Sequence, residues 1–418
     1  MFARKKPTRG VQPQLSAQDK LGIYIHIPFC RSKCDYCDFY SLTGQEGRMA
    51  AYQKALLAHI AESAPMAAGI GVDTIYFGGG TPSFYGEKRL CELLAAVKKQ
   101  YSVDKDAEIT LEANPDSVDL GALRRLRKAG FNRLSLGMQS HIAQELQAVS
   151  RPHGPRQTDQ AVAAAKKAGF SNLSLDLIYG LPGQTLDSWR QTVEHALSLI
   201  PQHLSCYGLK VEKGTPLAER VDAGEVLPDE DAQADQYLWT VGRLERAGFA
   251  QYEISNFAKE GCQSRHNLRY WLTRPYIGFG PGAHSDFGGR RYSFTESLEE
   301  YINGALHGGS MIDSEELIPQ RERGGEYLML RLRTTMGIEE WEYRRTYFMD
   351  FAPLEQRLTK FQTYELAEKT KQGRWRLTPK GFLVSNQLIG DLLRRQEQAA
   401  LSNLLPRAKE QFSSRQGD

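Results

Sequence analysis

Three cysteines stand close together near the start of the chain, Cys30, Cys34 and Cys37, spaced C-x3-C-x2-C. Thiolates are soft ligands that select zinc or iron–sulfur clusters. A structural zinc site wants four closed ligands, usually a C-x2-C pair answered by a second pair. No second pair exists here, so zinc would need a Cys3His set completed by His26 or a distant histidine. Three thiolates on one short loop suit a 4Fe–4S cluster, which four cysteines usually hold. The missing fourth leaves one iron open to chelate a substrate or cofactor.

The residues before the triad, Ile23-Tyr24-Ile25-His26-Ile27, alternate as a β-strand does, which puts the thiols on the loop at its C-terminal end. Further strands are expected at 72–77, 108–113, 133–137, 172–178 and from His203, each followed by a helical stretch. Helices are predicted over 45–66, 90–101, 120–128 and around 161–167, with another from near Asp229. Three of them close on the same phrase, Ala129-Gly130-Phe131, Ala168-Gly169-Phe170 and Ala247-Gly248-Phe249. Glycine ends a helix in the left-handed conformation at no steric cost, and an aromatic after it starts a buried strand. Six alternating units predict a parallel sheet with right-handed crossovers, too few to close an eight-stranded barrel. A partial (βα)6 barrel of TIM type fits, with its site at the C-terminal strand ends.

Polar and glycine-rich phrases gather at those ends. The first strand leads to the cysteines, the second to Gly78-Gly79-Gly80-Thr81, the third to Glu112-Ala113-Asn114-Pro115. The fourth ends in Gly137-Met138-Gln139-Ser140, and the fifth carries Asp176 ahead of Tyr179-Gly180-Leu181-Pro182-Gly183. Five such ends in succession are more specific than any one motif.

The cysteine spacing in this strand–loop setting resembles the radical S-adenosylmethionine (SAM) superfamily, whose core is a partial (βα)6 barrel. That resemblance implies a 4Fe–4S cluster on Cys30, Cys34 and Cys37. Its open iron takes the amino and carboxylate groups of SAM, which the reduced cluster cleaves to methionine and a 5′-deoxyadenosyl radical. From about residue 21 to at least 281, and more weakly to 393, the chain is similar to the oxygen-independent coproporphyrinogen III oxidase family. The family's SAM positions fall here on Tyr24, Gly79, Gly80, Thr81, Glu112, Gln139, Arg151 and Asp176, with Tyr36 packing over the cluster.

Two departures separate the chain from the oxidase itself. The oxidase has a further cysteine one residue beyond the third ligand, where this chain has Asp38 followed by Phe39. It also has a longer N-terminal segment than the 20 or so residues found here. The phrase His266-Asn267-Leu268-Arg269-Tyr270-Trp271, read as HNxxYW, resembles the HemW-like haem-chaperone branch. The branch implies haem binding, with His266, Asn267, Tyr270, Trp271 and His284 as candidates. Neutral imidazole is a good axial ligand, and aromatics offer flat apolar surface to a macrocycle. On the residues alone, a hydrogen-bonded core histidine is the plainer reading of His266. The function implied is transfer of haem to an acceptor protein, with SAM cleavage left open; oxidative decarboxylation of coproporphyrinogen III is the alternative. A flavodoxin or ferredoxin would supply electrons.

Composition agrees with a globular chain. Its 418 residues are 41% hydrophobic and 25% charged, with a net charge of +3 that gives no sign of a nucleic-acid partner. Six cysteines, three of them widely spaced, point to a reducing compartment, the cytoplasm. No run of about 18 apolar residues spans a membrane; peripheral contact is left open. The expected divisions are a disordered tail over 1–20, the barrel over 21–255 and a connecting segment over 256–300. A mostly helical, winged-helix-like domain follows over 301–393, then a polar, fraying tail over 394–418. In that C-terminal domain a helix is expected over 322–333 and a strand over 374–377. Thr378-Pro379 then opens a further helix to 393.

Overall fold

The computed structural model describes residues 20–413. The expected N-terminal tail lies outside the described residues, save Lys20. Six parallel strands follow in order: β1 (Leu21–Ile27), β2 (Gly71–Gly79), β3 (Ser102–Ala113), β4 (Arg133–Gln139), β5 (Asn172–Tyr179) and β6 (His203–Gly208). Helices Met49–Ser63, Glu87–Gln100, Leu120–Ala129, Pro155–Lys167 and Leu186–Ser198 cross between them. The arrangement is the expected open βα barrel.

The sheet is larger than six strands. After two short edge strands, β7 (Ala250–Gln251) and β8 (Asn256–Ala258), the chain returns and lays β9 (Tyr276–Phe279) parallel to β1. Strands β10 (His284–Phe287), β11 (Arg290–Phe294) and β12 (Ile312–Leu317) continue antiparallel, giving one twelve-stranded sheet ordered β12-β11-β10-β9-β1-β2-β3-β4-β5-β6-β8-β7. Parallel strands have helices on one face and need cover on the other, so their residues run apolar. Ile23, Ile25 and Ile27 of β1 are fully buried, as are Ile75 and Phe77 of β2 and Leu134 and Leu136 of β4.

The Ala-Gly-Phe phrases do close helices. Gly130, Gly169 and Gly248 have φ of 119°, 90° and 82°. The following Phe131, Phe170 and Phe249 donate their N–H groups back to Leu126, Ala165 and Leu244. This is the six-to-one bond of a glycine-terminated helix. The third copy leads only to the two-residue edge strand β7, not to another barrel unit.

The chain divides into two compact units, and the second comprises Tyr252–Ile254, Tyr270–Thr273 and the chain from Ile318. Residues 301–317 fold with the first unit, because β12 completes its sheet. The second unit holds helices Arg323–Arg331, Glu340–Tyr347 and Ala352–Thr363 and an antiparallel ribbon of β13 (Ala367–Lys369) and β14 (Trp375–Leu377). Tyr327, Leu328, Tyr343, Leu358, Trp375 and Leu392 form its interior. Thr378 caps helix Pro379–Leu383 by accepting the Gly381 N–H. That helix stops at Val384, and a new one runs Ser385–Ser413, so helix replaces fraying chain over most of 394–418. No helix among the described residues is long and apolar enough to cross a membrane.

Candidate cofactor-binding site

A pocket of about 460 Å³ opens at the C-terminal ends of β2–β6. Cys30, Cys34 and Cys37 form one side of it, from the loop after β1. Against them lie Gly79, Gly80 and Thr81 from the end of β2, with the two glycines so close that a side chain at either would collide. A Cβ on Gly80 would sit 2.9 Å from Phe29 O and 3.0 Å from Cys30 Sγ. One on Gly79, at φ 114°, would sit 2.5 Å from the His26 ring. Gly80 is therefore required by the thiol loop and Gly79 by the His26 ring of β1, and the loop is fastened there by Gly80 N–H to Ile27 O and Thr81 N–H to Phe29 O, both 2.9 Å. Thr81 Oγ1 stands 3.3 Å from Cys30 Sγ.

Two carboxylates occupy the floor. Glu112 accepts from the Tyr76 hydroxyl at 2.6 Å and from Gly79 N–H at 3.2 Å. Burial outweighs these bonds and pushes its pKa up to about 7. Asp176 is gripped by three serines: Ser205 at 2.7 Å, Ser135 at 2.9 Å and Ser174 at 3.3 Å. Its pKa is also raised by burial. The charge of Arg133, buried at the same floor, works against both shifts.

Arg151 reaches in from the loop after β4. It donates to Cys34 Sγ at 3.1 Å through Nη1, and to Asn114 Oδ1 at 2.8 Å through Nη2. Gln139 ends β4 at φ 56°, a region side chains seldom enter, and its Oε1 is buried without a hydrogen-bond partner. Arg151 Nε is buried and unpaired as well. Strain and unsatisfied polar atoms in a pocket wall fit a polar ligand that completes them. Three thiols on one pocket wall are the soft donor set that an iron–sulfur cluster takes. Among the described residues no three His, Cys, Asp or Glu side chains converge as a single metal would require.

Eight of the nine expected SAM positions line this pocket: Tyr36, Gly79, Gly80, Thr81, Glu112, Gln139, Arg151 and Asp176. Tyr24 does not. It stands behind the wall, 2.9 Å from His26 Nδ1. His26 Nε2 donates to the Tyr40 carbonyl at 2.9 Å, so Nδ1 is the acceptor for the Tyr24 hydroxyl. Arg133, Ser135, Ser205 and Tyr207 also line the pocket and were not expected. Arg133 and Ser135 follow from counting back by two from Gln139 along β4, whereas β6 offered no expected inward residue from which to count to Ser205 and Tyr207.

The haem candidates differ in their surroundings. His266 is wholly buried, its Nδ1 2.9 Å from Thr74 Oγ1 and its ring stacked 5.2 Å from Tyr76. Asn267 lines the pocket, and His284 is exposed at the start of β10. Tyr270 and Trp271 are half-buried and belong to the second unit, whereas His266 and Asn267 belong to the first.

An open βα barrel with three thiols at its mouth defines the radical SAM class, and residues 24–196 match the radical SAM superfamily. The fold is that of the Escherichia coli coproporphyrinogen III oxidase HemN, a radical SAM enzyme, at a TM-score of 0.78 with 23% identity over 90% of this chain and 91% of that one. The chain is 34% identical to the haem chaperone HemW of Bacillus subtilis over 376 residues, 88% of this chain and 98% of that protein. With the HemW of Escherichia coli it shares 37% over 318 residues, 75% and 82% of the two chains. The chain belongs to the HemW family of the radical SAM superfamily. A 4Fe–4S cluster and SAM are the cofactors of that superfamily.

Proposed function

We propose that this protein is a haem chaperone that carries a 4Fe–4S cluster and SAM in the barrel pocket and delivers haem to an acceptor protein. The observation that carries this reading is 34% identity with HemW along 98% of the Bacillus subtilis protein; the resemblance to the oxidase family adds that Phe39 stands where the oxidase has its further cysteine. Cys30, Cys34 and Cys37 hold the cluster. When bound, it supplies an open iron for the amino and carboxylate groups of SAM and an electron for cleaving the sulfonium.

This chain's residues do the holding. Gly80 and Thr81 bring backbone N–H groups to Ile27 and Phe29 at the base of the thiol loop, Gly79 N–H turns to Glu112, and Thr81 lies beside Cys30. Glu112 faces the amino group, Arg151 the carboxylate, and Gln139 and Asp176 the nucleoside. Tyr36 packs over the cluster, while Tyr24 supports the wall from behind. Arg151 is charged at any ordinary pH, and its fork suits a carboxylate.

Haem binding draws on His266, Asn267, Tyr270, Trp271 or His284. Of the two histidines His284 is the accessible one, since His266 is closed in by Thr74 and Tyr76. The protein works in the cytoplasm, takes electrons from a flavodoxin- or ferredoxin-like donor and needs no nucleic acid.

The test is haem titration of anaerobically reconstituted protein, with a parallel assay on coproporphyrinogen III. Saturable haem uptake without formation of protoporphyrinogen supports the chaperone. Turnover of coproporphyrinogen overturns it in favour of the oxidase.

A further inference from the structure

The loop that carries the thiols ties little of itself together. Its ends are fastened by Cys30 N–H to Leu42 O at 2.9 Å and Leu42 N–H to Pro28 O at 2.6 Å, and Cys37 N–H reaches Cys34 O at 3.1 Å. The middle is held from outside, at Asp35, the residue after the second thiol. Asp35 N–H donates to Val149 O at 3.3 Å, and Asp35 O accepts Leu217 N–H at 2.9 Å. Its carboxylate accepts Arg220 Nη1 at 2.7 Å. The same nitrogen donates to Ala148 O at 2.8 Å, and Nη2 donates to Glu225 at 2.5 Å. Leu217 and Arg220 lie on the short helix Pro216–Asp222, which follows β6.

We propose that helix Pro216–Asp222 is a strap that sets the thiol loop in place, with Arg220 as its positioning residue. One guanidinium joins segments that follow β1, β4 and β6. The segment it grips after β4 leads directly to Arg151, whose Nη1 touches Cys34 Sγ. An exposed ion pair would contribute little. Here the Asp35 side chain is 18% and the Arg220 side chain 36% exposed, so the strength of the link lies in its geometry: Arg220 meets three separate oxygens that a lysine could not fork across. Groups behind metal ligands orient them, and losing one costs about 10- to 100-fold in metal affinity. The proposal rests on reading the three thiols as cluster ligands.

The experiment compares wild type, Arg220→Ala, Arg220→Lys and Asp35→Asn after anaerobic reconstitution. It reads iron and sulfide per chain, the rate of iron loss to a chelator, and the electron paramagnetic resonance (EPR) line shape of the reduced cluster with and without SAM. Arg220→Ala is expected to lose iron about tenfold faster with an altered line shape, at a melting temperature close to wild type. Arg220→Lys should fall between the two, and Asp35→Asn should move the same way. If Arg220→Ala unfolds, Asp35→Asn decides. Release rates and line shapes identical to wild type in the folded variants overturn the strap. A wild type that takes up no iron or sulfide overturns the reading of the thiols instead.

Discussion

His266 Nδ1 lies 2.9 Å from Thr74 Oγ1, which fixes the first residue of the HNxxYW phrase against the inner face of β2. The helix it belongs to, Arg265–Trp271, is seated from its start. Glu108, itself buried, accepts the N–H groups of Arg265 at 3.1 Å and His266 at 3.0 Å. One turn on, the buried Arg269 pairs with Asp73 and packs where a Cβ on Gly22 would stand. Burial drives the His266 pKa down to about 3, so the imidazole is neutral. It acts here as part of the wall behind Tyr76, the donor to Glu112.

His266→Ala therefore removes a buried polar contact and leaves a hole. The expected loss is about 2–3 kcal/mol of stability in urea unfolding, with the haem absorption spectrum unchanged. A changed spectrum with stability intact would show that the helix opens and that His266 meets the iron.

Gly79→Ala or Gly80→Ala forces a methyl into the His26 ring or the Phe29 carbonyl. Strain of this kind costs about 1–3 kcal/mol or more. Gly80→Ala displaces the thiol loop directly and Gly79→Ala displaces the His26 ring that bonds the Tyr40 carbonyl, so iron incorporation should drop further than melting temperature does. Full iron loading in either variant would mean the contact is not needed to shape the loop.

Glu112 gives a pH dependence whose sign is fixed by its raised pKa of about 7. Between the ordinary carboxylate range and that value the folded state holds a proton the unfolded chain has released. Stability from this group is thus greatest at low pH and falls as pH rises through about 5 to 7. Five buried histidines oppose it below about pH 6.5, among them His26 and His153 near 4 and His59 near 3. The difference between wild type and Glu112→Gln isolates the carboxylate. That difference should shift by about 2 kcal/mol against the wild type between pH 5 and 8. Parallel curves would place the Glu112 pKa at its ordinary value.

Gln139→Ala removes the unpaired Oε1 held out by a left-handed backbone. If that oxygen receives a hydrogen bond from SAM, affinity should fall about tenfold, the worth of one such bond, with cluster content unchanged. Equal SAM affinity in calorimetry would assign the strain to the fold alone.

How much of this was legible in the sequence depends on the kind of constraint. Ligand chemistry demands cysteine at fixed spacing, so Cys30, Cys34 and Cys37 could be read directly. The strand-end glycines and Glu112, Gln139 and Asp176 followed from the strand rhythm with the family resemblance. Arg133, Ser135 and Ser205 were missed because their role appears only when inward positions are counted along each strand. The parallel pairing of β9 with β1 is a long-range event that its four residues, Tyr276–Phe279, do not announce. Burial of His266 is likewise tertiary: a seven-residue helix carries no pattern long enough to say which side faces in.

The most direct test of the whole account is EPR of the anaerobically reconstituted, reduced protein before and after adding SAM. A 4Fe–4S signal that changes shape on SAM addition, in protein containing about four irons and four sulfides per chain, is the predicted result. Zinc in place of iron, or a cluster signal indifferent to SAM, would contradict the claim that three thiols leave one iron open at the barrel mouth.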